Sequence, residues 1–345
     1  MPSTPPTITA VSPGKAILFG EHAINRGQPA LSAAVGLYAR CTVARRTDGQ
    51  YRFGGGGHRQ SATPESIAEV GRHLDDCRKR EAYDGIRTVA RADYFGPQKY
   101  VLYGMFGQAL PRDGMDLLWE SDVPPHSGLG SGGSAFTAMV AAVSAMFVPD
   151  AGVVDRSDWA HRGDVIAHGG VASALDSQTS LHGGVIRFTG AVPAEQVTVA
   201  PGLDLVVANC GVGAPTGEVN ARVRQWLGER PHSRMAYFKT IGALARNAEA
   251  QLAAGNWDEL GRLMTLNQLV LEKIGVSVPA TDRLIDAALG AGAYGAKVSG
   301  SGGGGIVIAL VGPETKQGVM AALTDAGGTV LAPRIAVEGT RLLVD

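Results

Sequence analysis

The stretch Pro-Pro-His-Ser-Gly-Leu-Gly-Ser-Gly-Gly-Ser-Ala, residues 124–135, is the most informative part of the chain. An apolar, alanine-rich run follows it over residues 136–148 and predicts a helix that begins at a loop of glycine and serine. Glycines let a backbone approach a ligand closely, and the free N–H groups at a helix start attract phosphate oxygens. The stretch therefore predicts a nucleotide-phosphate site, with a loop that only needs positive φ angles as the alternative.

The two commonest nucleotide motifs do not describe this loop. No Gly-Lys-Ser/Thr follows the glycines, which a P-loop requires. No compact strand–loop–helix–strand unit ends in an acidic residue at the spacing of a dinucleotide fingerprint. The class of nucleotide site must therefore be read from the motifs elsewhere in the chain.

Composition limits the class of protein. With 345 residues, 45% hydrophobic and 18% charged, the chain predicts about two domains with sizeable cores. A net charge of −1 lacks the basic excess of a nucleic-acid-binding protein. Its three cysteines form no CxxC pair, which fits a reducing compartment. Without a secretory signal or an apolar run long enough to span a bilayer, we expect a cytoplasmic protein with no membrane partner.

Hydrophobic periodicity outlines the organisation of the chain. Short strands are expected at residues 8–11 and 16–19 and a last strand at 335–337. Residues 48–62 are polar and glycine-rich and are expected to form a loop, with a surface hairpin at residues 54–57 as the alternative. Helices are expected at residues 64–80, 159–167, 235–253, 257–274, 280–291 and 320–326. The character of the sequence changes near residue 195, which predicts an N-terminal domain over residues 1–195 and a C-terminal domain over 196–345.

Four motifs occur in a characteristic order. They are Ser-Pro-Gly-Lys with Gly-Glu-His (residues 12–22), the glycine and serine loop, an Asp before a Gly-Gly turn (176–184), and a second glycine run (297–305). In this order they resemble the GHMP kinases, and among these the mevalonate kinases most, although residues 48–115 match poorly. The resemblance implies an α+β fold of two domains, the first like ribosomal protein S5 domain 2 and the second ferredoxin-like.

The same resemblance implies a catalytic pair. Asp176 would take the proton of the acceptor hydroxyl, and Lys15 would keep that carboxylate ionised and stabilise the transferring charge. From the residues alone, Asp176 could equally be a helix N-cap and Lys15 an exposed lysine. The match around Asp176 favours catalysis.

ATP and Mg²⁺ are the implied nucleotide and metal. The nucleotide-binding segment would be Ser127, Gly128, Leu129, Gly130, Ser131, Gly132, Gly133 and Ser134, with Ser131 and Asp164 as ligands of the metal. The family usually carries a second serine where this chain has Gly132, and Glu where it has Asp164. Ser134 is a candidate to supply the missing hydroxyl.

The acceptor side is implied by the first and last motifs. Glu21, His22 and Ser299 would bind mevalonate, and the product would be 5-phosphomevalonate, an isoprenoid precursor. The alternatives are a sugar kinase similar to the heptose kinases, a kinase of an already phosphorylated mevalonate, and a regulatory protein that binds a nucleotide or metabolite without turnover. The habit of the family suggests a homodimer.

Overall fold

Two β-sheets organise the protein, and the computed structural model describes residues 6–125, 127–190, 193–214 and 216–343. His126, inside the predicted phosphate loop, lies outside the described residues. In the first sheet the strands follow the order β12-β1-β2-β5-β3-β4, with β6 beside β2 and β7 beside β6. The bounds are β1 Thr7–Phe19, β2 Ala30–Arg45, β3 Tyr51–Gly55, β4 His58–Ala62, β5 Met115–Ser121, β6 Val185–Phe188, β7 Glu195–Gln196 and β12 Arg341–Leu343.

The N-terminal strand is longer than the sequence pattern indicates. Residues 8–11 and 16–19 are parts of the single strand β1, so the prediction of two short strands is wrong. The register against β2 shifts between Pro13 and Gly14, and this bulge accommodates the proline so that the strand continues past it. At Gly14 a Cβ would lie 2.8 Å from the carbonyl oxygen of Leu129, so glycine lets the phosphate loop pack directly on the strand.

Residues 51–62 form a hairpin, the alternative to the loop that was expected over residues 48–62. Strands β3 and β4 pair in antiparallel register, and Gly56 and Gly57 make the turn with φ of 58° and 80°. Phe53 of β3 is buried and stacks on Phe95 and Trp119, with ring centroids 5.5 Å and 6.3 Å away. The expectation of a loop is wrong because this buried aromatic residue stands among polar and glycine residues in the sequence.

In the described residues, six helices lie between strands of the first sheet along the chain: α1 Pro64–Lys79, α2 Tyr83–Ala92, α3 Gly96–Phe106, α4 Ser131–Phe147, α5 Val153–Ala167 and α6 Leu175–His182. The predicted helices at residues 64–80 and 159–167 are confirmed as α1 and the C-terminal part of α5. The alanine-rich α4 packs on β1 and β2 and against α5 and α6. Small side chains on this buried helix allow the close contacts that bring its first turn beside α5 and α6.

The second sheet has the order β11-β8-β10-β9, with β8 Leu205–Asn209, β9 Gly295–Ser299, β10 Ile306–Leu310 and β11 Thr329–Leu331. Its helices are α7 Thr216–Glu229, α8 Pro231–Ala254, α9 Trp257–Ile274, α10 Pro279–Gly290 and α11 Lys316–Asp325. The predicted helices in this half are thereby confirmed. Numbered along the chain as strands 1 to 4 of a βαββαβ arrangement, they lie across the sheet in the order 4-1-3-2, so the ferredoxin-like expectation and the α+β class are confirmed.

The end of the chain returns to the first sheet. The predicted last strand at residues 335–337 is wrong, because Ile335 makes only an isolated bridge to Val35 and β12 pairs with β1 instead. The predicted division at residue 195 falls inside β7, and the domain boundaries 1–195 and 196–345 stay a prediction. None of the helices in the described residues has the length and apolar character needed to span a bilayer.

Candidate active site

The glycine and serine loop is held in shape by its own buried residues. Ser127 Oγ donates to the carbonyl of Pro124 and accepts from the N–H of Leu129, whose side chain is buried in the core. The N–H of Lys15 donates to the carbonyl of Leu129 at 2.8 Å. Gly130 then starts α4 in the left-handed region with φ of 73° and offers no side-chain cap. The N–H groups of the first turn are therefore left without a capping side chain, as an anion site at a helix N-terminus requires.

Lys15 and Asp176 meet beside this helix start. Lys15 Nζ lies 3.2 Å from Asp176 Oδ1 and donates to the carbonyl of Gly128 at 3.1 Å. The lysine is 3% exposed, so it is not the surface lysine of the alternative interpretation. Ala174 occupies the N-cap of α6, which no side chain caps, so Asp176 is not the cap of this helix. The fold thus brings into contact the two residues that the sequence predicts as catalytic.

Close packing of α4 on α6 makes that contact possible. A Cβ on Gly133 would lie 2.8 Å from Asp176 Cβ, and a Cβ on Gly130 would lie 2.8 Å from Lys15 Cγ. Burial raises the pKa of Asp176, Lys15 opposes this increase, and the nearby carboxylate of Asp164 adds to it. A carboxylate whose pKa lies above its ordinary value is a better proton acceptor than an exposed one.

Asp164 of α5 lies in a buried polar cluster with His161 of the same helix and with His168, the residue that directly follows the helix. Its carboxylate is 1% exposed, and Oδ1 lies 3.4 Å from His168 Nδ1. Burial opposes ionisation of Asp164, but His168 and then His161 outweigh it, and the pKa of Asp164 lies below its ordinary value. Burial lowers the pKa of His168, but the negative charge of Asp164 outweighs burial and raises this pKa to about 9.

Asp164 also faces the first turn of α4. A Cβ on Gly132 would lie 2.8 Å from Asp164 Oδ1, and this oxygen accepts no hydrogen bond from the described residues. Ser134, by contrast, is fully buried and donates to the carbonyl of Ser131 within the helix. Its hydroxyl is therefore engaged, and Ser131, the half-buried serine of the first turn, is the hydroxyl that the geometry leaves for a ligand. In the described part of the chain, no group of three or more His, Cys, Asp or Glu forms a metal cage.

Glu21 of the first motif is completely buried in an ion pair with Lys297 of β9. Asn267 Nδ2 of α9 approaches its second oxygen at 3.5 Å, and Lys297 Nζ also donates to the carbonyl of Val298 at 2.7 Å. Burial raises the pKa of Glu21 and lowers the pKa of Lys297, while their mutual attraction opposes both shifts. The structure thus places Glu21 between the two sheets rather than on an open surface.

His22 connects the first motif to the second glycine run. Its Nε2 is 2.8 Å from the carbonyl of Ser301, so the proton lies on Nε2. Burial lowers the pKa of His22 to about 4, so the ring is neutral at physiological pH. His22 has φ of 58°, a value uncommon outside glycine, and such strain is found mostly at functional sites. Ser299, also predicted at the acceptor side, is 2% exposed and its Oγ accepts from the N–H of Ile17.

The pair of His168 and Asp164 predicts a specific pH dependence of stability. The pKa of His168 is raised from 6.5 to about 9, so the pair stabilises the fold fully below pH 6.5 and loses this contribution as pH rises through 9. The difference amounts to at most about 3 kcal/mol. In His168→Gln, the free energy of unfolding should lose this fall between pH 6 and 9.5, as measured by urea denaturation at both values. His232→Gln, at an exposed position of α8, is the control, and a fall equal to wild type in His168→Gln would contradict the pairing.

Sequence reasoning missed several polar residues of the site. Lys297 forms the buried pair with Glu21, and Asn267 and Gln268 of α9 hold Glu21 and the N–H of Val298. A lysine between Ala296 and Val298 was the available signal, because a charge in a segment that becomes buried needs a partner. For His168 the available signal was its position four residues after Asp164 at the end of a predicted helix, a spacing that places two side chains on one helix face.

Comparison with known proteins finds two matching family profiles and several named relatives. The profile of the GHMP kinases N terminal domain matches residues 99–184, and the profile described as GHMP kinases C terminal matches residues 248–329. A mevalonate kinase from Methanothermobacter thermautotrophicus is 30% identical over 302 residues, which covers 87% of this chain and 89% of that protein.

Solved structures show the same fold. The Methanococcus jannaschii mevalonate kinase matches with a TM-score of 0.78 at 20% identity, covering 97% of this chain and 99% of that one. The L. major mevalonate kinase in complex with R-mevalonate matches with a TM-score of 0.73 at 21% identity, covering 95% of each chain. The chain belongs to the GHMP kinase family.

Proposed function

We propose that the protein transfers the γ-phosphoryl group of ATP to the 5-hydroxyl of mevalonate, giving 5-phosphomevalonate and ADP. The observation that carries this proposal is the contact of Lys15 with Asp176 beside the uncapped start of α4. It joins a phosphate site, a cation and a proton acceptor, which are the parts that phosphoryl transfer to an alcohol needs. The acceptor is suggested by the relatives named mevalonate kinase and by the neighbour that binds R-mevalonate.

Each group of the site has a separate role in the proposed reaction. The first-turn N–H groups of α4 hold the phosphates, and Lys15 stabilises charge that builds on the γ-phosphoryl oxygens. Asp176 accepts the proton of the acceptor hydroxyl as its oxygen forms the new bond to phosphorus. The bond from phosphorus to the β–γ bridging oxygen breaks, and ADP leaves with that electron pair. The raised pKa of Asp176 suits this proton transfer.

The residues at the α4 start fit a magnesium ion held with the nucleotide. Asp164 Oδ1 is a buried anionic oxygen that accepts no hydrogen bond from the described residues, and the hydroxyl of Ser131 belongs to the adjacent turn. Hard oxygen ligands of this kind, completed by phosphate oxygens and water, are those that Mg²⁺ prefers. When bound, the ion would neutralise charge on the β- and γ-phosphate oxygens.

Removing the Asp164 carboxylate tests this metal role. In Asp164→Asn, Mn²⁺ should bind the ADP complex roughly tenfold more weakly or worse, because an amide oxygen is a poorer ligand than a carboxylate. Electron paramagnetic resonance of free Mn²⁺ measures this affinity without turnover. Asp158→Asn, at an exposed position of the same helix, should bind Mn²⁺ like wild type. Equal Mn²⁺ affinity in Asp164→Asn and wild type would remove Asp164 from the metal site.

A panel of acceptors tests the proposed reaction. With Mg-ATP, the wild-type protein should release ADP in the presence of mevalonate, and not with 5-phosphomevalonate, galactose or heptose phosphates. Turnover on a sugar or on the phosphorylated acid alone would keep the catalytic pair but replace the substrate. Nucleotide binding without turnover on any acceptor would favour the regulatory alternative. The homodimer and the cytoplasmic location remain predictions from the sequence.

A further inference from the structure

The first sheet ends in a strand whose outer side is open. β4 is the last strand in its order, and among the described residues no strand pairs with its other side. Its first four residues, 58–61, are all exposed, and Ala62 at its end is buried. The strand contains no proline, and its register with β3 has no bulge. Apart from the charge of Arg59, β4 thus lacks the devices by which edge strands usually avoid pairing with another chain.

The other edge strands of the described residues are shorter or covered. At the remaining edges of the first sheet, β12 has three residues and β7 has two. In the second sheet, β11 has three residues, and β9 at the opposite edge is buried along its whole length. With five residues and an open side, β4 is therefore the edge in the described part of the chain that best fits a strand from another molecule.

The turn before β4 determines which of its backbone groups point outward. A two-residue turn closes on a hydrogen-bonded pair of residues, which here are Gly55 and His58. Bonded and non-bonded pairs alternate along antiparallel strands, so Gln60 also exchanges hydrogen bonds with β3. The N–H and C=O groups of Arg59 and Ser61 therefore point to the open side.

These outward groups are complementary to a second copy of the same strand. In an antiparallel pair centred on Gln60, Arg59 of each chain lies opposite Ser61 of the other, and their backbone groups exchange hydrogen bonds. His58 then lies opposite Ala62, so no two like charges face each other. A pair centred on Arg59 would place two guanidinium groups opposite each other, which is unfavourable. The charge pattern of β4 thus favours one register of pairing with itself.

Two exposed rings stand beside this edge. His58 stacks on Tyr94 with ring centroids 4.0 Å apart, although Tyr94 is 51% exposed. Paired side chains in a sheet point to the same face, so Ala62 of a second copy would lie on the same side as these rings. Burial of ring surface would add to the backbone hydrogen bonds of the strand pair, since short strands alone are marginally stable in water.

We propose that β4 is a dimer surface, where it pairs in antiparallel register with β4 of a second copy of this chain and joins the two first sheets. A pair centred on Gln60 has two-fold symmetry, so each chain contributes the same residues and the assembly closes at two chains. The surface is one short strand and its neighbouring rings, and we expect dissociation in the micromolar range. The inference involves none of the residues proposed for catalysis and does not depend on the proposed function.

Sedimentation velocity measures the oligomeric state. Between roughly 1 and 200 µM, wild-type protein should pass from one chain to two. Ser61→Pro should stay monomeric over this range, because the outward N–H is lost while the hydrogen bonds to β3 remain. Ser61→Ala keeps that N–H and should dimerise like wild type. Circular dichroism and urea denaturation check that both variants are folded.

Cysteine cross-linking tests the register. In Gln60→Cys the two new residues face each other with Cα atoms about 4.5 Å apart, within the range of a disulfide. In Arg59→Cys they are offset along the strands and lie about 8 Å apart, which is too far. Both variants also carry Cys210→Ser, because the other cysteines, Cys41 and Cys77, are buried. Under mild oxidation, Gln60→Cys should form the linked dimer roughly tenfold faster than Arg59→Cys, or more.

Each outcome decides the inference. A dimer that is lost in Ser61→Pro, with cross-linking through Gln60→Cys but not Arg59→Cys, supports it. Wild-type protein that is monomeric at the highest concentration overturns it, and so does a folded Ser61→Pro variant that dimerises like wild type. If Ser61→Pro does not fold, cross-linking decides alone: selective linkage through Gln60→Cys supports the pairing, and equal linkage or none overturns it.

Discussion

Asp176→Asn should lower kcat for mevalonate phosphorylation by roughly 10²- to 10⁴-fold while Mg-ATP binds with unchanged affinity. The amide cannot accept the proton of the acceptor hydroxyl, and it no longer balances the charge of Lys15, 3.2 Å away. The N–H groups at the start of α4, which we propose hold the phosphates, are not altered. Single-turnover kinetics measure the chemical step, and fluorescence titration with a labelled nucleotide measures binding.

The same variant should remain folded. Burial raises the pKa of Asp176, which means that the folded protein disfavours the charged form relative to an exposed carboxylate. A neutral amide of the same shape therefore removes a charge without opening a cavity. Asp286→Asn, at an exposed position of α10, should retain wild-type kcat and serves as the control. Wild-type kcat in folded Asp176→Asn would show that another group takes the proton.

Lys297→Met should cause the largest loss of stability, about 3–5 kcal/mol in the free energy of unfolding. Lys297 and Glu21 are both fully buried, and removal of the ammonium group leaves the Glu21 carboxylate without its counter-ion. Since Asn267 reaches that carboxylate only at 3.5 Å, it cannot replace the lysine. Urea denaturation at neutral pH measures the loss.

A second substitution separates the unpaired charge from lost packing. Glu21→Gln added to Lys297→Met should restore much of the stability, because a neutral amide has no charge to leave uncompensated. Lys316→Met, which breaks the more exposed pair with Asp204, should cost no more than about 1 kcal/mol. A double variant as unstable as Lys297→Met alone would mean that Lys297 stabilises the protein through packing or its backbone contacts instead.

Strong local patterns predicted most of the fold. The helix at residues 257–274 was predicted with the bounds of α9, because its apolar period is regular and Gly275 follows it in the left-handed region. Strand β1 was predicted as two short strands, and the hairpin of β3 and β4 was predicted only as the alternative to a loop. In both places, contacts with residues distant in the sequence override the local signals. Pairing with β2 keeps β1 continuous through Pro13, and Phe95 and Trp119 stack on Phe53.

The candidate site was predictable where a residue type is required by the chemistry. Lys15 and Asp176 were identified from their motifs, and the fold brings them into contact over 161 positions of sequence. The partners of buried charges were not identified, since nothing near Glu21 in sequence indicates Lys297 or Asn267.

Identification of the product tests the central claim most directly. Wild-type protein, Mg-ATP and mevalonate labelled with ¹³C at carbon 5 should give a product in which ³¹P couples to that carbon, as seen by nuclear magnetic resonance. The signal should appear together with ADP in equal amounts and should be absent with Asp176→Asn over the same time. Phosphate on another oxygen, or ADP formed together with free phosphate only, would contradict phosphoryl transfer to the 5-hydroxyl.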